Sequence, residues 1–280
     1  MVLGIPQNFV FDRGEVELLV ISGPDSADFL NRLSTLNFKK SIEGSLHGAF
    51  LNGQAKLISL FTVWKKDDKN YFFLEEEMFE KTKIYLEQMH FAEDLKIETE
   101  KYFALEARGE AHFISEIQVD AYNWGISGKY FFGKKSFDLK SVTQLEYDAI
   151  RASFGFPKPY QDLTADHILI EGPLDNLVDR NKGCYPGQEV IEKIYTYGRV
   201  SKKIKKVTFE NAKESDIEII KKSLPLEIEA DGNKIGILSS AYHYGGGFAL
   251  VTLKRLYYEK HKNIEITHNG TTLKAYIEEN

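Results

Sequence analysis

The chain has 280 residues, of which 42% are hydrophobic and 28% charged, and its 42 acidic and 36 basic side chains leave a formal net charge of −6. This composition is typical of a globular protein with a large core, and the acidic balance excludes a general nucleic-acid coat while allowing a local basic groove. The longest apolar runs are far too short to span a membrane, and residues 1–8 lack the features of a secretory signal, so we expect a cytoplasmic protein without membrane contact.

The chain begins with a predicted strand followed by a helix. Residues 15–22 are rich in apolar and β-branched side chains, which favours a strand. Pro24 then begins a helix that should direct Ala27, Leu30 and Leu33 toward the core.

A hairpin and a second helix come next. Residues 57–64 and 71–74 predict two antiparallel strands, because both runs are apolar or aromatic and the charged segment 65–70 between them is typical of a solvated turn. Helical spacing then indicates a surface helix with one buried stripe. The residues of that stripe are Met78, Thr82, Tyr85 and Met89.

A second cycle of similar elements predicts strands at 98–107 and 130–132 and a helix at 141–152. After residue 201 the pattern changes to short strands separated by turn residues, which predicts a small antiparallel barrel. These strands are expected at residues 204–209, 226–229, 235–238, 248–253, 264–267 and 272–277.

The octapeptide Lys-Gly-Cys-Tyr-Pro-Gly-Gln-Glu at 182–189 contains Cys184, the only cysteine of the chain. A single thiol forms no intramolecular disulfide and supplies one ligand at most, so any chemistry at this place uses one sulfur. Gly183 and Gly187 permit backbone conformations closed to other residues, and Pro186 fixes a bend, which together predict a thiol presented at a turn.

A helix is expected from Gln188 onward, which would place the thiol just ahead of a helix N-terminus. Lys182 favours the thiolate there, whereas Glu189 opposes it. The seven histidines show none of the spacings typical of metal ligands, and we predict no metal site.

The octapeptide resembles the signature K-G-C-Y-x-G-Q-E of the YgfZ family, and residues 22–30, 151–157 and 197–200 resemble other segments of that family in the same order. YgfZ proteins bind folate, are related to the glycine-cleavage T-protein (aminomethyltransferase), and are linked to the synthesis or repair of iron–sulfur enzymes. The resemblance implies an α+β fold. It would comprise a T-protein-like folate-binding core of two related α+β units, at 1–95 and 96–200, and a C-terminal antiparallel β-barrel at 201–280.

The same resemblance implies a folate-binding accessory protein that supports iron–sulfur cluster assembly or repair in client enzymes through Cys184. The implied cofactor is tetrahydrofolate or a derivative, and the implied partners are folate and iron–sulfur client proteins or assembly factors. Whether the protein turns over a substrate, by one-carbon or thiol-based chemistry, stays open. The residues expected to contact folate are Lys182, Gly183, Tyr185, Gly187, Gln188, Glu189, Arg151 and Arg199.

The alternative is a folate-dependent aminomethyltransferase of the T-protein type. T-proteins use an aspartate in a segment that corresponds here to residues 52–60, yet no carboxylate occurs between Gly53 and Trp64. Ser153 likewise stands where T-proteins carry a glutamate. Without an anion beside the developing cation, aminomethyl transfer is disfavoured. A third interpretation is an interaction scaffold whose thiol is structural.

Overall fold

The computed structural model describes residues 4–279, which form a mixed α/β chain with two antiparallel sheets. The chain divides into two compact units. The N-terminal unit contains Gln7–Thr143 and Asp175–Glu192, and the C-terminal unit contains Gln144–Leu174 and the described residues from Lys193 onward, with residues 4–6. No described helix is long and apolar enough to cross a membrane. The predicted boundaries at 95 and 200 stay predictions.

A seven-stranded sheet forms the centre of the N-terminal unit, in the order β2-β3-β4-β1-β5-β7-β6. Every neighbouring pair is antiparallel, and the long first strand pairs with β5 along its whole length. The strands are β1 Phe9–Ser22, β2 Ser45–Leu51, β3 Leu57–Lys66, β4 Lys69–Phe73, β5 Lys96–Arg108, β6 Ile117–Asp120 and β7 Gly128–Gly133.

This sheet curls strongly on itself. The rings of Trp64 and Phe132 lie 5.1 Å apart, although β3 and β7 are four places apart in the strand order and would be about 19 Å apart in a flat sheet. At the two edges, the Ser45 hydroxyl donates to the Asp120 carbonyl at 2.9 Å. The sheet therefore forms a half-barrel whose inner face is packed with aromatic side chains, including Tyr130.

The inner face of the half-barrel also holds a buried charge cluster. Arg13 donates to Glu106 from Nε at 3.0 Å and to Glu75 from Nη1 at 2.6 Å. Arg108 donates to the other Glu106 oxygen at 2.6 Å and to the Tyr122 carbonyl at 2.7 Å. Glu106 and Arg108 are completely buried, so their charges depend on one another for compensation.

Two helices cover the opposite face of the sheet, α1 Ser26–Leu33 and α2 Glu76–Met89. The predicted inward direction of Leu30 and Leu33 is confirmed, but Ala27 is exposed and Phe29 is buried in its place. The bulkier Phe29 buries more apolar area at the same helical spacing, which explains the difference. Of the stripe predicted for α2, Met78 and Thr82 are buried, whereas Tyr85 and Met89 are only partly covered.

The C-terminal unit contains the predicted antiparallel barrel. Its six strands follow the order β12-β13-β8-β11-β10-β9, and the edge strands β12 and β9 come into contact, so the barrel is nearly closed. The strands are β8 Lys202–Phe209, β9 Leu226–Ala230, β10 Asn233–His243, β11 Gly247–Lys254, β12 Asn263–His268 and β13 Thr271–Ile277. The helices of this unit are α3 Gln144–Ser153, α5 Glu214–Lys221 and α6 Arg255–Tyr258. The connecting helix α4 spans Gln188–Tyr197.

One histidine in each unit is kept neutral by its surroundings. In the half-barrel, burial and then the charge of Arg108 lower the pKa of His47 to about 4 against the opposing effect of Asp120. In the C-terminal unit, His167 lies 2.8 Å from the Thr252 hydroxyl. Burial and then the charge of Lys202 lower the pKa of His167 to about 4. The side chain of His167 is buried.

These histidines predict a loss of stability in mild acid. Between pH 6.5 and pH 4 an unfolded histidine binds a proton that the folded one does not, so stability is full above about pH 6.5 and declines as the pH falls toward 4. The loss should reach on the order of 2 to 3 kcal/mol for each histidine. Urea unfolding of His47→Gln and His167→Gln should show a shallower dependence on pH, with the exposed His112→Gln as the control. A pH dependence identical to that of the unmodified protein would contradict the assignment.

Candidate functional site

The octapeptide lies in the N-terminal unit, on a segment that is anchored by Thr35 before the motif begins. The Asp179 amide donates to the Thr35 carbonyl at 2.9 Å, and the Thr35 hydroxyl donates to the Leu177 carbonyl at 2.6 Å. Thr35 is completely buried, and its hydroxyl also accepts from the Ala49 amide of β2 at 2.9 Å. The segment is therefore tied to the sheet by hydrogen bonds that use only backbone groups and the buried Thr35 hydroxyl.

Lys182 fastens the motif to the end of α1. Its ammonium group donates to the carbonyl of Asn31 at 2.6 Å and to that of Ser34. These are C-terminal carbonyls of a helix that ends at Leu33, which carry partial negative charge and have no partner inside the helix. The ammonium group also lies 5.0 Å from the centroid of the Tyr185 ring. Burial lowers the pKa of Lys182 to about 8, against the opposing effects of Asp179 and Cys184.

Gly187 makes the second fixed contact of the motif. Its φ is +83°, and a Cβ added there would lie 2.6 Å from the Cα of Ala55 and 2.7 Å from the Asn52 carbonyl oxygen. That neighbour is a tight turn in which Asn52 accepts from the amides of Gln54 and Lys56. Only glycine fits this position, because both the backbone conformation and the space exclude a side chain.

Gly183 differs from the prediction made for it. Its backbone does not adopt the left-handed conformation, and an added Cβ would come no closer than 3.9 Å, to the Asn31 amide nitrogen. The expectation that both glycines need special backbone freedom is therefore wrong for Gly183 and confirmed for Gly187. Gly183 is exposed, so a side chain added at this position would extend into solvent.

Cys184 is exposed, as the turn predicted. Its neighbour Tyr185 is buried, and the Gln188 amide donates to the Tyr185 carbonyl at 3.2 Å at the start of α4. The thiol thus projects from a short loop that is held on both sides by buried contacts. A sulfur presented in this way is available to a molecule in solution, whereas the usual free cysteine is packed and inert.

Gln188 and Glu189 begin α4, with Gln188 partly covered and Glu189 exposed. Both side chains lie in the first turn of the helix. They are open to a ligand, whereas Lys182, Tyr185 and Gly187 are engaged in the packing of the loop itself. The geometry therefore divides the predicted folate contacts in the motif into anchoring residues and residues that can still meet a ligand.

The turn that receives Gly187 continues into the stretch without carboxylates. Ser59, within this stretch, is completely buried, and its hydroxyl has no hydrogen-bond partner among the residues that the structure describes. A neutral buried hydroxyl cannot provide the anionic stabilisation that a carboxylate gives. The structure thus offers no substitute at Ser59 for the aspartate that the T-protein resemblance implies.

Arg151 lies in the C-terminal unit, at the end of α3, and is buried among carboxylates. Its guanidinium group is 3.5 Å from Asp148 and 3.7 Å from Asp162, and it donates to the Phe156 carbonyl. Asp162 is completely buried and also accepts from the Ser239 hydroxyl at 2.7 Å. The charge of Arg151 is therefore compensated inside its own unit, and its contact with folate stays a prediction.

Arg199 is exposed and lies 3.5 Å from Glu259. An exposed ion pair of this kind stabilises little and is easily exchanged for another partner. Arg199 follows the end of α4, and its contact with folate stays a prediction.

The anchoring residues Asn31, Ser34, Thr35 and Ala55 were not predicted from the sequence. Three of them contact the motif through backbone atoms, and Thr35 contacts the segment before it through its backbone and its side-chain hydroxyl. Their residue types therefore give no functional signal. Among residues 4–279, no group of three or more His, Cys, Asp or Glu side chains could hold a metal ion.

Comparisons with known proteins give the fold without a family. No protein-family profile matches the chain. A chloroplastic protein of Arabidopsis thaliana, whose name calls it a "putative transferase", is 30% identical over 101 residues, which is 36% of this chain and 21% of that protein. The chain thus spans about a fifth of the length of that curated relative.

Among solved structures, the glycine cleavage system aminomethyltransferase T from Bartonella henselae matches with a TM-score of 0.79. The match covers 98% of this chain and 85% of that chain, at 14% sequence identity. The likeness confirms a mixed α/β fold of the T-protein type, and at this identity it shows the fold alone.

Proposed function

We propose that this chain is a folate-binding accessory protein of the YgfZ type that supports iron–sulfur cluster assembly or repair in client enzymes, with Cys184 as the working group. The observation that carries the proposal is an exposed thiol on a loop anchored by Lys182 and Gly187. A mobile loop could not hold a sulfur in a reproducible position, whereas this one fixes the backbone on both sides of it. We also propose that residues 1–95 and 96–200 are two related α+β units.

A single exposed sulfur suits transient contact better than permanent cluster binding. A resident iron–sulfur cluster usually needs several cysteine ligands, and the chain has one. The iron of a client protein would therefore be a substrate of the chain. Cys184 would act on it either as a single ligand or through reaction of its thiol. The loop residues hold the sulfur in place and leave it accessible to the client.

The support for folate binding is the T-protein-like fold. Of the residues predicted to contact folate, Lys182, Tyr185 and Gly187 are also used in packing, and Arg151 is compensated by carboxylates, so their contact with folate stays a prediction. Gln188, Glu189 and Arg199 remain open to a ligand. We therefore assign no step of the chemistry to folate and treat its binding as a separate measurement.

The aminomethyltransferase alternative is supported by the fold but not by the site. The stretch from Gly53 to Trp64 offers a buried, neutral Ser59 and no carboxylate. If the alternative held, the purified protein would transfer an aminomethyl group to tetrahydrofolate at a rate that Cys184→Ala leaves unchanged.

The central test compares Cys184 variants in a strain that lacks its own YgfZ-type protein. Cys184→Ala and Cys184→Ser should each restore less than about a tenth of the iron–sulfur enzyme activity that the unmodified chain restores, because the only sulfur is lost. Folate binding, measured by calorimetry on the same proteins, should be similar for all of them.

Thr196→Ala, a change at an exposed position of α4, the helix that follows the motif, is the control and should restore activity fully. Full restoration by Cys184→Ala would contradict the role of the thiol. Absence of folate binding in the unmodified chain would contradict the folate assignment and leave the thiol result to be judged separately.

A further inference from the structure

The four lysines of β8 are divided between the two faces of the strand. Lys202 and Lys206 share one face, where Lys206 pairs with Glu278 at 2.8 Å, and Lys202 lies 3.9 Å from Glu171. Lys203 and Lys205 lie on the other face, since side chains alternate along a strand. Among residues 4–279, neither of these two has a carboxylate within salt-bridge distance.

The face of Lys203 and Lys205 is the interior face of the barrel. The next residues on the same side, Val207 and Phe209, belong to the barrel core. The two lysines therefore continue the inner face of β8 toward its first residue, where their cross-strand neighbours on β11, Leu253 and Val251, still belong to the barrel core. The Cα atoms of the two lysines are about 6.6 Å apart along the strand, which lets both ammonium groups reach one small anion.

Other groups lie near Lys205. The Lys205 ammonium group lies 5.6 Å from the centroid of the Tyr258 ring, and Tyr258 packs at the edge of the core. Burial, then the charges of Lys203 and Lys262, lower the pKa of Lys205, while Glu279 opposes them. Glu279 itself pairs with Lys262. The charges of Lys203 and Lys262 thus both act on Lys205, and the carboxylate that opposes them is already paired with Lys262, so positive charge is in excess around the partly covered Lys205.

Partly buried like charges destabilise one another unless an opposite charge joins them. We propose that Lys203, Lys205 and Tyr258 form a site for a small phosphate-bearing molecule at the start of β8. The two ammonium groups would bind the phosphoryl oxygens, and the tyrosine ring would contact the adjoining apolar or planar part of the ligand. Lysine is well suited to phosphate because its charge is compact and carries three donors.

The test titrates the full chain with inorganic phosphate and with pyrophosphate at constant ionic strength. Binding is detected through the amide chemical shifts in NMR spectra. Pyrophosphate should give saturable shifts at residues 203, 205 and 258 and should bind more tightly than inorganic phosphate. Lys205→Gln and Lys203→Gln should each weaken pyrophosphate binding roughly tenfold, since each removes one charged hydrogen-bond donor.

Lys222→Gln is the matched control, because it removes the same charge from an exposed position at the end of α5 in the same unit. It should leave the affinity for pyrophosphate unchanged. The proposal is overturned if the shifts fail to saturate, if Lys222→Gln weakens binding as much as Lys205→Gln, or if succinate at the same ionic strength binds as tightly as pyrophosphate. Failure of this site would leave the function proposed for Cys184 unaffected, because the measurement does not involve the thiol.

Discussion

Glu106→Gln is expected to lower the free energy of unfolding by about 3 to 5 kcal/mol, because it removes the anion between two buried arginines. Burial acts to raise the pKa of Glu106, but the charges of Arg108 and Arg13 outweigh it, so the pKa is held below its usual range. The carboxylate is therefore charged in the folded protein. Glutamine would remove the negative charge that compensates the buried Arg108 guanidinium, which also donates to the neutral carbonyls of Tyr122 and Ile126.

Thermal unfolding measures this loss, and a change of this size should lower the midpoint by roughly 6 to 20 °C in a domain of this size. The control is Glu15→Gln, which removes a carboxylate 2.9 Å from Lys101 at an exposed position. Exposed pairs of this kind contribute about 1 kcal/mol or less. Equal losses in the two variants would contradict the view that the buried cluster stabilises the half-barrel.

The sequence predicted β5 but not the role of its charges. Glu106 and Arg108 lie two residues apart, a spacing that in a strand usually indicates a solvated face. Their partner Arg13 is 93 residues away from Glu106, so no local pattern could reveal the cluster. A strand that carries charges on its inner face becomes possible only when the sheet curls and supplies the opposite charge.

The strand β2 was missed for a related reason. It contains Gly48, and glycine weakens a strand pattern. A Cβ added there would lie 2.6 Å from Leu36 and 2.8 Å from Phe61, so the glycine permits close packing that is visible only in the folded protein. By contrast, the six strands of the barrel were all predicted, because turn residues separate them and their apolar residues recur in the strand pattern.

At the candidate site, the sequence indicated the loop and the exposed thiol but not what holds them. Lys182 is separated from its partner Asn31 by 151 positions, and the partner atom is a backbone carbonyl that every residue type carries. The resemblance to YgfZ proteins therefore suggested ligand contacts for side chains that the fold uses as anchors.

Gly187→Ala is the second change for which we expect a large effect, a loss of about 3 kcal/mol or more in the free energy of unfolding. The added methyl group would meet backbone atoms of Ala55 and Asn52 at 2.6 to 2.7 Å, and the φ of +83° would strain any residue with a side chain. Because the obstructing atoms are backbone, no rotation of a side chain can relieve the contact. The loop must move away from the turn, or the turn must deform.

Gly183→Ala is the matched comparison, since it adds the same methyl group four residues earlier in the motif, at an exposed position where the nearest neighbouring atom is 3.9 Å away. It should change the midpoint of thermal unfolding by less than about 2 °C.

Hydrogen exchange then distinguishes the two ways in which Gly187→Ala can act, detachment of the loop or deformation of the turn. Faster exchange confined to residues 182–192 would show that the loop detaches, and in that case iron–sulfur enzyme activity should fall although Cys184 is still present. Unchanged unfolding and unchanged exchange would contradict the contact between Gly187 and the turn, and with it the argument that the thiol is held in place.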